Sequence, residues 1–170
     1  MEGSARPGYL VGMFSGAPLP RHLGMTLRFD DGLRAVVDIA HGPHLDHALA
    51  QVHGGVLATL VDTAAWFTAA VHYDTWITTV DLHVRYLEPT GGEDLTATGT
   101  LIRAGRSLAA ADAEVRTAGG RLVAVGGGTF SVTGVPYACG PPSPTACWCC
   151  PAPTSRGAGS ASRCSRRSTT

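Results

Sequence analysis

The 170-residue chain carries thirteen basic and thirteen acidic residues, so its formal net charge is zero; only 15% of its residues are charged, while 44% are hydrophobic. This length suits one domain with a real core, and the balanced charge does not favour a nucleic acid or a membrane surface as a partner. So few charges indicate that part of the surface is covered in an oligomer. The N-terminus lacks the basic start and long apolar segment of a signal peptide, which predicts a soluble cytoplasmic protein.

The first part of the chain predicts an extension followed by a hairpin. Residues 1–23 read as an N-terminal extension in which the apolar patch from Tyr9 to Phe14 forms one or two helical turns. Two strands follow, Met25 to Phe29 and Leu33 to Ile39, and Asp30-Asp31-Gly32 between them is typical of a hairpin turn. Residues 40–52 then form an irregular, histidine-rich segment.

The apolar run from Gly55 to Val71 predicts a long buried helix, because its length and its Ala and Leu content favour helix over strand and it is hydrophobic on nearly all sides. Asp62 interrupts this run. A buried carboxylate costs several kcal/mol unless something compensates it, so a function is the best reason to keep it. At about 100° per residue, one polar stripe collects five residues: Gly55, Thr59, Asp62, Thr63 and Trp66.

Four strands are predicted after the helix: Trp76 to Leu87, Leu95 to Ile102, Leu108 to Thr117 and Arg121 to Val132. Strict alternation in the first of them puts Thr79 on its polar face. The Gly126-Gly127-Gly128 run indicates a strand packed closely against another backbone. The order of two strands, one helix and four strands predicts an α+β domain over residues 24–134. In this domain an antiparallel sheet of about six strands curls around a central helix.

From residue 135 the composition changes to Pro, Ser, Cys, Arg and Gly without periodicity, so residues 135–170 are predicted to be a disordered low-complexity tail. All five cysteines lie after residue 138, which leaves the core without a disulfide framework.

The start of the helix predicts a hydrolytic site. Helix N-termini carry unsatisfied N–H groups and a partial positive charge, so Gly54 and Gly55 offer bare donors to an oxyanion. However, Gly55 and Asp62 are seven residues apart, about 10 Å along the helix axis, so one helix can hardly place both on one carbonyl. We therefore expect a site shared across a two-fold axis, with Gly55 of one subunit facing Asp62 of the other.

Several sequence motifs occur in this order: His53-Gly54-Gly55 followed by Val56 to Ala64, Thr78-Thr79-Val80-Asp81-Leu82, Tyr86-Leu87-Glu88-Pro89, Leu95-Thr96-Ala97-Thr98-Gly99 and Gly128-Thr129-Phe130. In combination they resemble the hotdog-fold acyl-CoA thioesterases, in particular the phenylacetate-degradation branch, over residues 20–133.

The resemblance implies a hotdog fold and an acyl-CoA substrate that is hydrolysed without a metal or other cofactor, in a homodimer or homotetramer. Asp62 would activate water or attack the thioester directly, and the Gly55 N–H would serve as the oxyanion hole. His53 would shape the site next to the Gly55 N–H, and Thr79 would orient the water. Related enzymes often carry an Asn six residues before the His, where this chain has His47. Gly54, Thr63 and Trp66 are expected to contact the substrate, with Trp66 as a wall of the acyl pocket.

Other interpretations remain open. Asp62 could be a structural acid, His53 a helix cap and Thr79 a plain strand former. His41, His44 and His47, with His53, could bind a metal, and the Cys147-Trp148-Cys149-Cys150 cluster could bind zinc. At the level of function, the alternatives are a hotdog hydratase or dehydratase acting on acyl thioesters and a non-catalytic acyl-CoA-binding module.

Overall fold

The structure, a computed structural model, describes residues 6–137. Its helices and strands are α1 (Arg6–Gly16), α2 (Pro18–Leu23), β1 (Met25–Phe29), β2 (Ala35–Ile39), a 3-10 turn (Pro43–Leu45), α3 (Gly54–Ala70), β3 (Thr75–Tyr86), β4 (Leu95–Ala104), β5 (Leu108–Thr117) and β6 (Leu122–Pro136). The predicted α+β order of two strands, one long helix and four strands is confirmed, and most predicted boundaries fall within two residues of these.

All six strands form one antiparallel sheet in the order β1-β2-β4-β5-β6-β3. Helix α3 packs on the central strands β4, β5 and β6, and its residues Leu60, Val61 and Ala64 are fully buried in the core that helix and sheet share. Strand β3 lies at an edge of this sheet, beside the helix face that carries Asp62.

Two glycines let neighbouring elements of the domain pack closely. A Cβ atom at Gly99 of β4 would collide with the Ala64 carbonyl and with the Thr68 hydroxyl of α3, and one at Gly126 of β6 would collide with the backbone of β3. Thr68 is itself buried, and its Oγ1 accepts a hydrogen bond of 2.9 Å from the Ala35 N–H. Gly99 therefore lets α3 lie close to β4, and Gly126 lets β6 lie close to β3, as the glycine run in β6 predicted for that strand.

The N-terminal extension is more ordered than the sequence predicted. In place of one or two turns it forms α1 and α2, because Leu10, Met13 and Phe14 recur at helical spacing and bury their side chains in the common core. Gly24 adopts a left-handed φ of 70° and ends α2 directly before β1. Glycines at every fourth position of α1 lower its helix propensity, which explains why the sequence pattern underrated it.

The ordered domain also extends further at its C-terminal end than residue 134, the predicted boundary. Strand β6 continues to Pro136, and Tyr137 after it is 5% exposed and donates hydrogen bonds to the backbone carbonyls of Asp74 and Ala70. The rest of the predicted tail, with all five cysteines, lies outside the described residues. None of the helices in residues 6–137 is long and apolar enough to cross a membrane.

Candidate active site

Asp62 of α3 pairs with a hydroxyl of the edge strand. The Thr79 Oγ1–H donates a hydrogen bond of 3.2 Å to Asp62 Oδ1. Burial raises the pKa of the Asp62 carboxyl above its ordinary value of 3.8, and the Thr79 hydrogen bond partly opposes that rise. Desolvation makes a carboxylate a stronger base. Asp62 therefore has the properties of a general base whose carboxylate is oriented by the Thr79 hydroxyl.

A β-bulge puts Thr79 and Asp81 on opposite faces of β3. Thr79 pairs with Phe130 of β6, while Asp81 pairs with the adjacent residue Thr129, so Val80 is the extra residue. Phe130 is fully buried, and its cross-strand partner Thr79 therefore faces the core. The prediction that Thr79 shares the polar face of its strand was wrong, because alternation in sequence does not reveal a bulge.

An open cavity of about 290 Å³ lies beside Asp62; we call it the Asp62 cavity. Its walls come from α3, β3 and the two N-terminal helices, and they are formed by Met13, Phe14, Ala17, Pro20, Asp62, Thr63, Trp66, Phe67, Trp76 and Thr79. Trp66 is anchored by a hydrogen bond of 3.1 Å from its Nε1–H to the Ile77 carbonyl. Thr63, Trp66 and Thr79, three residues selected from the sequence, thus lie at the same cavity as Asp62.

A second cavity, of about 310 Å³, lies at the start of α3; we call it the His47 cavity. It is lined by His47, Gln51, Val52, Gly54, Leu57, Tyr86, Leu87, Glu88, Pro89 and Thr90. The Tyr86 hydroxyl donates a hydrogen bond of 3.1 Å to the Gly54 carbonyl and so joins the end of β3 to the helix N-terminus.

Sequence reasoning missed Gln51, Tyr86 and Thr90 as candidates for substrate contact. Thr90 is 3% exposed, and its Oγ1 has no hydrogen-bond partner among the described residues. A buried hydroxyl without a partner is costly and calls for an explanation. The Tyr86-Leu87-Glu88-Pro89 motif was the one available signal, since it placed the end of β3 next to this region.

The Gly55 N–H is not a bare donor. His53 caps α3, and its Nδ1 accepts a hydrogen bond of 2.9 Å from the Gly55 N–H. A ligand oxygen that used this N–H would have to take the place of the imidazole nitrogen. The Thr59 hydroxyl, on the same stripe, donates to the Gly55 carbonyl one turn earlier.

The site residues selected from the sequence thus fall into two groups within one chain. Asp62, Thr63, Trp66 and Thr79 surround one cavity; His47 and Gly54 line the other, and His53 and Gly55 flank Gly54 in sequence. Gly55 and Asp62 are seven positions apart, which puts about 10 Å of helix between the groups. One chain alone does not bring the acid and the donors to a single carbonyl carbon.

The histidine-rich segment makes other contacts. His41 Nε2 lies 3.1 Å from Asp46 Oδ1, and His47 Nδ1 accepts a hydrogen bond of 3.1 Å from the Leu49 N–H. Throughout residues 6–137, no group of three or more His, Cys, Asp or Glu side chains is arranged to hold a metal ion.

Comparison with known proteins decides the family. Residues 50–124 match the model of the Thioesterase superfamily. Over 132 residues the chain is 31% identical to the medium/long-chain acyl-CoA thioesterase YigI of Escherichia coli K12, a match that covers 68% of this chain and 85% of YigI. This chain belongs to the thioesterase superfamily. The predicted class of enzyme, a thioester hydrolase, agrees with that membership.

Two further matches give one more related sequence and one related fold. A putative esterase of Halobacterium salinarum is 35% identical over 102 residues, and the match spans 54% of this chain and 64% of that protein. The structure of the E. coli PaaI protein, from the phenylacetic acid degradation operon, superposes with a TM-score of 0.72 at 22% identity and covers 80% of this chain and 99% of PaaI. The second likeness confirms the predicted hotdog fold for this member of the thioesterase superfamily.

Proposed function

We propose that this member of the thioesterase superfamily is a cytoplasmic acyl-CoA thioesterase, which hydrolyses an acyl- or aryl-acyl-CoA to the free acid and CoA. The observation that carries the proposal is the partly buried Asp62 carboxylate, hydrogen-bonded to Thr79 at the wall of a largely apolar cavity. There a base and room for an acyl group occur together. Similarity to YigI, named as a medium/long-chain acyl-CoA thioesterase, supports an acyl-CoA as the substrate.

In the proposed reaction, Asp62 removes a proton from a water molecule, and the water oxygen attacks the thioester carbonyl carbon. The carbonyl electrons move to the oxygen, where backbone N–H groups stabilise the negative charge. Collapse of this intermediate breaks the C–S bond, and the CoA thiolate leaves and takes from Asp62 the proton that came from the water. Thr79 holds the carboxylate and orients the water. If Asp62 attacked directly, water would hydrolyse the resulting anhydride to the same products.

The donors are proposed to come from a second copy of the chain, so the smallest active unit is a homodimer; a homotetramer would contain two such units. The separation of the two groups of residues within one chain supports this arrangement. The edge strand β3 also supports it, because Val80 and Tyr86 on this strand are 58% and 55% exposed. A long edge strand with apolar side chains is normally covered in a stable protein.

His53 and His47 complete the proposed donor side. The Gly55 N–H would polarise the carbonyl oxygen once that oxygen replaces His53 Nδ1 as its acceptor. His47, at the wall of the neighbouring cavity, would supply a second donor where relatives carry an amide.

A thiol-release screen over aryl, short and medium acyl-CoAs tests the proposal. Removal of a general base costs about 10²–10⁴-fold in rate, so Asp62→Asn should lose at least about 10²-fold in turnover with its fold intact. Asp81→Asn, the same change at an exposed acid of β3, is the matched control. Near-wild-type turnover by Asp62→Asn would defeat the assignment, and hydration of crotonyl-CoA in place of thiol release would favour the hydratase alternative.

A further inference from the structure

The N-terminal helices form part of the Asp62 cavity. Met13 and Phe14 of α1, Ala17 between the helices and Pro20 of α2 line it together with Asp62 itself. Building on the proposed function, we propose that α1 and α2 are the outer wall of the acyl pocket, and that Phe14 and Ala17 decide how large an acyl group the enzyme accepts.

This wall is fixed to the domain. The Arg6 guanidinium at the start of α1 donates a hydrogen bond of 2.9 Å to the Val71 carbonyl, at the end of α3, and also pairs with Asp74. Leu10, one turn further along α1, is fully buried. The helix is therefore held at the end of α3 that lies beyond Asp62, so its side chains form a constant boundary of the cavity.

Phe14 meets α3 beyond the acid. Its ring packs edge-on against Phe67, with ring centroids 5.3 Å apart. Phe67 follows Asp62 by five residues, which corresponds to about 7.5 Å along the helix axis. An acyl group whose carbonyl carbon lies at Asp62 and whose tail extends along this side of α3 would end against Phe14 and Phe67.

The other walls are aromatic and rigid. Trp66 lies between Phe67 and Trp76, with centroid separations of 4.8 and 5.8 Å, and Asp62 is the sole charged side chain among the residues that line the cavity. Such a lining favours an apolar acyl group over one with a charged or strongly polar tail.

The volume of the cavity narrows the class of acyl group. A dry protein cavity of about 150 Å³ accepts benzene, and this cavity measures about 290 Å³. It therefore has room for a medium-length alkyl tail or for a six-membered ring with a spacer. An acetyl group would leave most of it empty.

Ala17 is the most suitable position for a test. Its side chain is half-buried at the cavity, and its backbone is extended (φ −73°, ψ 143°). The Ala17 N–H donates a hydrogen bond to the Phe14 carbonyl, and the Ala17 carbonyl accepts one from the Arg21 N–H. Because both of these hydrogen bonds are made by the backbone, a larger side chain there would enter the cavity without breaking a polar contact. Leu19, two residues later on α2, is 57% exposed and outside the cavity, so Leu19→Phe is a matched control.

The experiment compares wild type, Ala17→Phe, Phe14→Leu and Leu19→Phe in two assays. Thiol release gives kcat/KM for acetyl-, hexanoyl-, decanoyl- and phenylacetyl-CoA, and calorimetry gives the Kd of the non-hydrolysable thioethers S-ethyl-CoA and S-decyl-CoA. We expect Ala17→Phe to lower the decanoyl-to-acetyl ratio of kcat/KM and to weaken S-decyl-CoA binding, each by at least about 10-fold, the equivalent of one 1.4 kcal/mol step in binding. Phe14→Leu should shift both preferences toward longer tails, and Leu19→Phe should change neither.

The two assays separate this inference from the proposed function. Chain-length profiles that stay unchanged in both Ala17→Phe and Phe14→Leu, while wild type hydrolyses acyl-CoAs, would overturn the inference alone. Binding of S-decyl-CoA that responds to Ala17→Phe without any thiol release would overturn the hydrolase and leave the pocket wall established. Absence of both binding and turnover in wild type would overturn both.

Discussion

The Thr79 hydroxyl lies 3.2 Å from Asp62 Oδ1, although the two residues are seventeen positions apart and belong to the edge strand and the central helix. Thr79 lies on the core face of β3, opposite buried Phe130, and the bulge at Val80 directly after it puts Asp81 on the other face. The strand thus presents a hydroxyl, and not a second carboxylate, to Asp62. It also follows that Thr79 influences the charge state of Asp62.

Thr79→Val should move the pH dependence of hydrolysis. Burial raises the pKa of Asp62 and the Thr79 hydrogen bond lowers it, so removal of the hydroxyl leaves burial unopposed and raises that pKa further. Because a general base acts in its ionised form, the acidic limb of the kcat/KM profile should shift to higher pH. Thiol release measured across pH checks this. Thr79→Ser, which keeps the hydroxyl, should retain the wild-type limb, and an unmoved limb in Thr79→Val would refute the coupling.

Asp62→Asn should stabilise the protein at neutral pH while it removes activity. A raised native pKa means that Asp62 binds its proton more tightly in the folded state than in the unfolded state. Ionisation of Asp62 therefore lowers the free energy of unfolding as the pH rises from 3.8, the ordinary pKa, through the higher native pKa. The neutral amide carries no such penalty. Tm measured from pH 4.5 to 8 should therefore be higher for Asp62→Asn at neutral pH, and the gain should shrink toward acidic pH.

The comparison variant for this stability measurement is Asp81→Asn, which changes an exposed acid of the neighbouring strand. Its Tm should stay much closer to wild type across the same range. A lower Tm for Asp62→Asn at pH 7 would show that the carboxylate contributes contacts that outweigh its burial.

The sequence predicted some structural features of this protein and not others, depending on whether a feature leaves a local pattern in the sequence. Asp62 was recognisable because a charge in an apolar helix contradicts its surroundings, and the central helix and six strands followed from long periodic patterns. The contact of Thr79 with Asp62 and the unpartnered hydroxyl of Thr90 were not recognisable, since each depends on contacts between distant segments. The His53 cap on Gly55 is local, and a cap was one of the roles that the sequence left open for His53. Helix α1 was underrated because tertiary burial of Phe14 and its neighbours outweighs a glycine-rich composition.

Gly99→Ala tests whether the close packing of α3 on β4 requires a residue without a side chain at position 99. The added methyl group would collide with the Ala64 carbonyl and the Thr68 hydroxyl, both within the core. Overpacking of this kind lowers the free energy of unfolding by about 1–3 kcal/mol. We expect a loss at the upper end of this range, because the Ala64 carbonyl belongs to the helix backbone and cannot move aside. Gly12→Ala on α1 is the control: nothing lies within 4 Å of its added Cβ, and an exposed helical glycine replaced by alanine gains about 0.5–1 kcal/mol. Urea unfolding measures both.

Subunit mixing decides whether the site is shared. Gly55→Pro removes the proposed donor, and proline is tolerated in the first turn of a helix, whereas Gly55→Ala keeps the N–H and displaces only the His53 side chain. Asp62→Asn and Gly55→Pro should each be inactive alone. If each site takes its acid from one subunit and its donor from the other, unfolding and refolding the two variants together at equal amounts should restore about a quarter of wild-type sites. A mixture as inactive as its parents would mean that acid and donor act within a single chain, and full activity of Gly55→Pro alone would remove Gly55 from the mechanism.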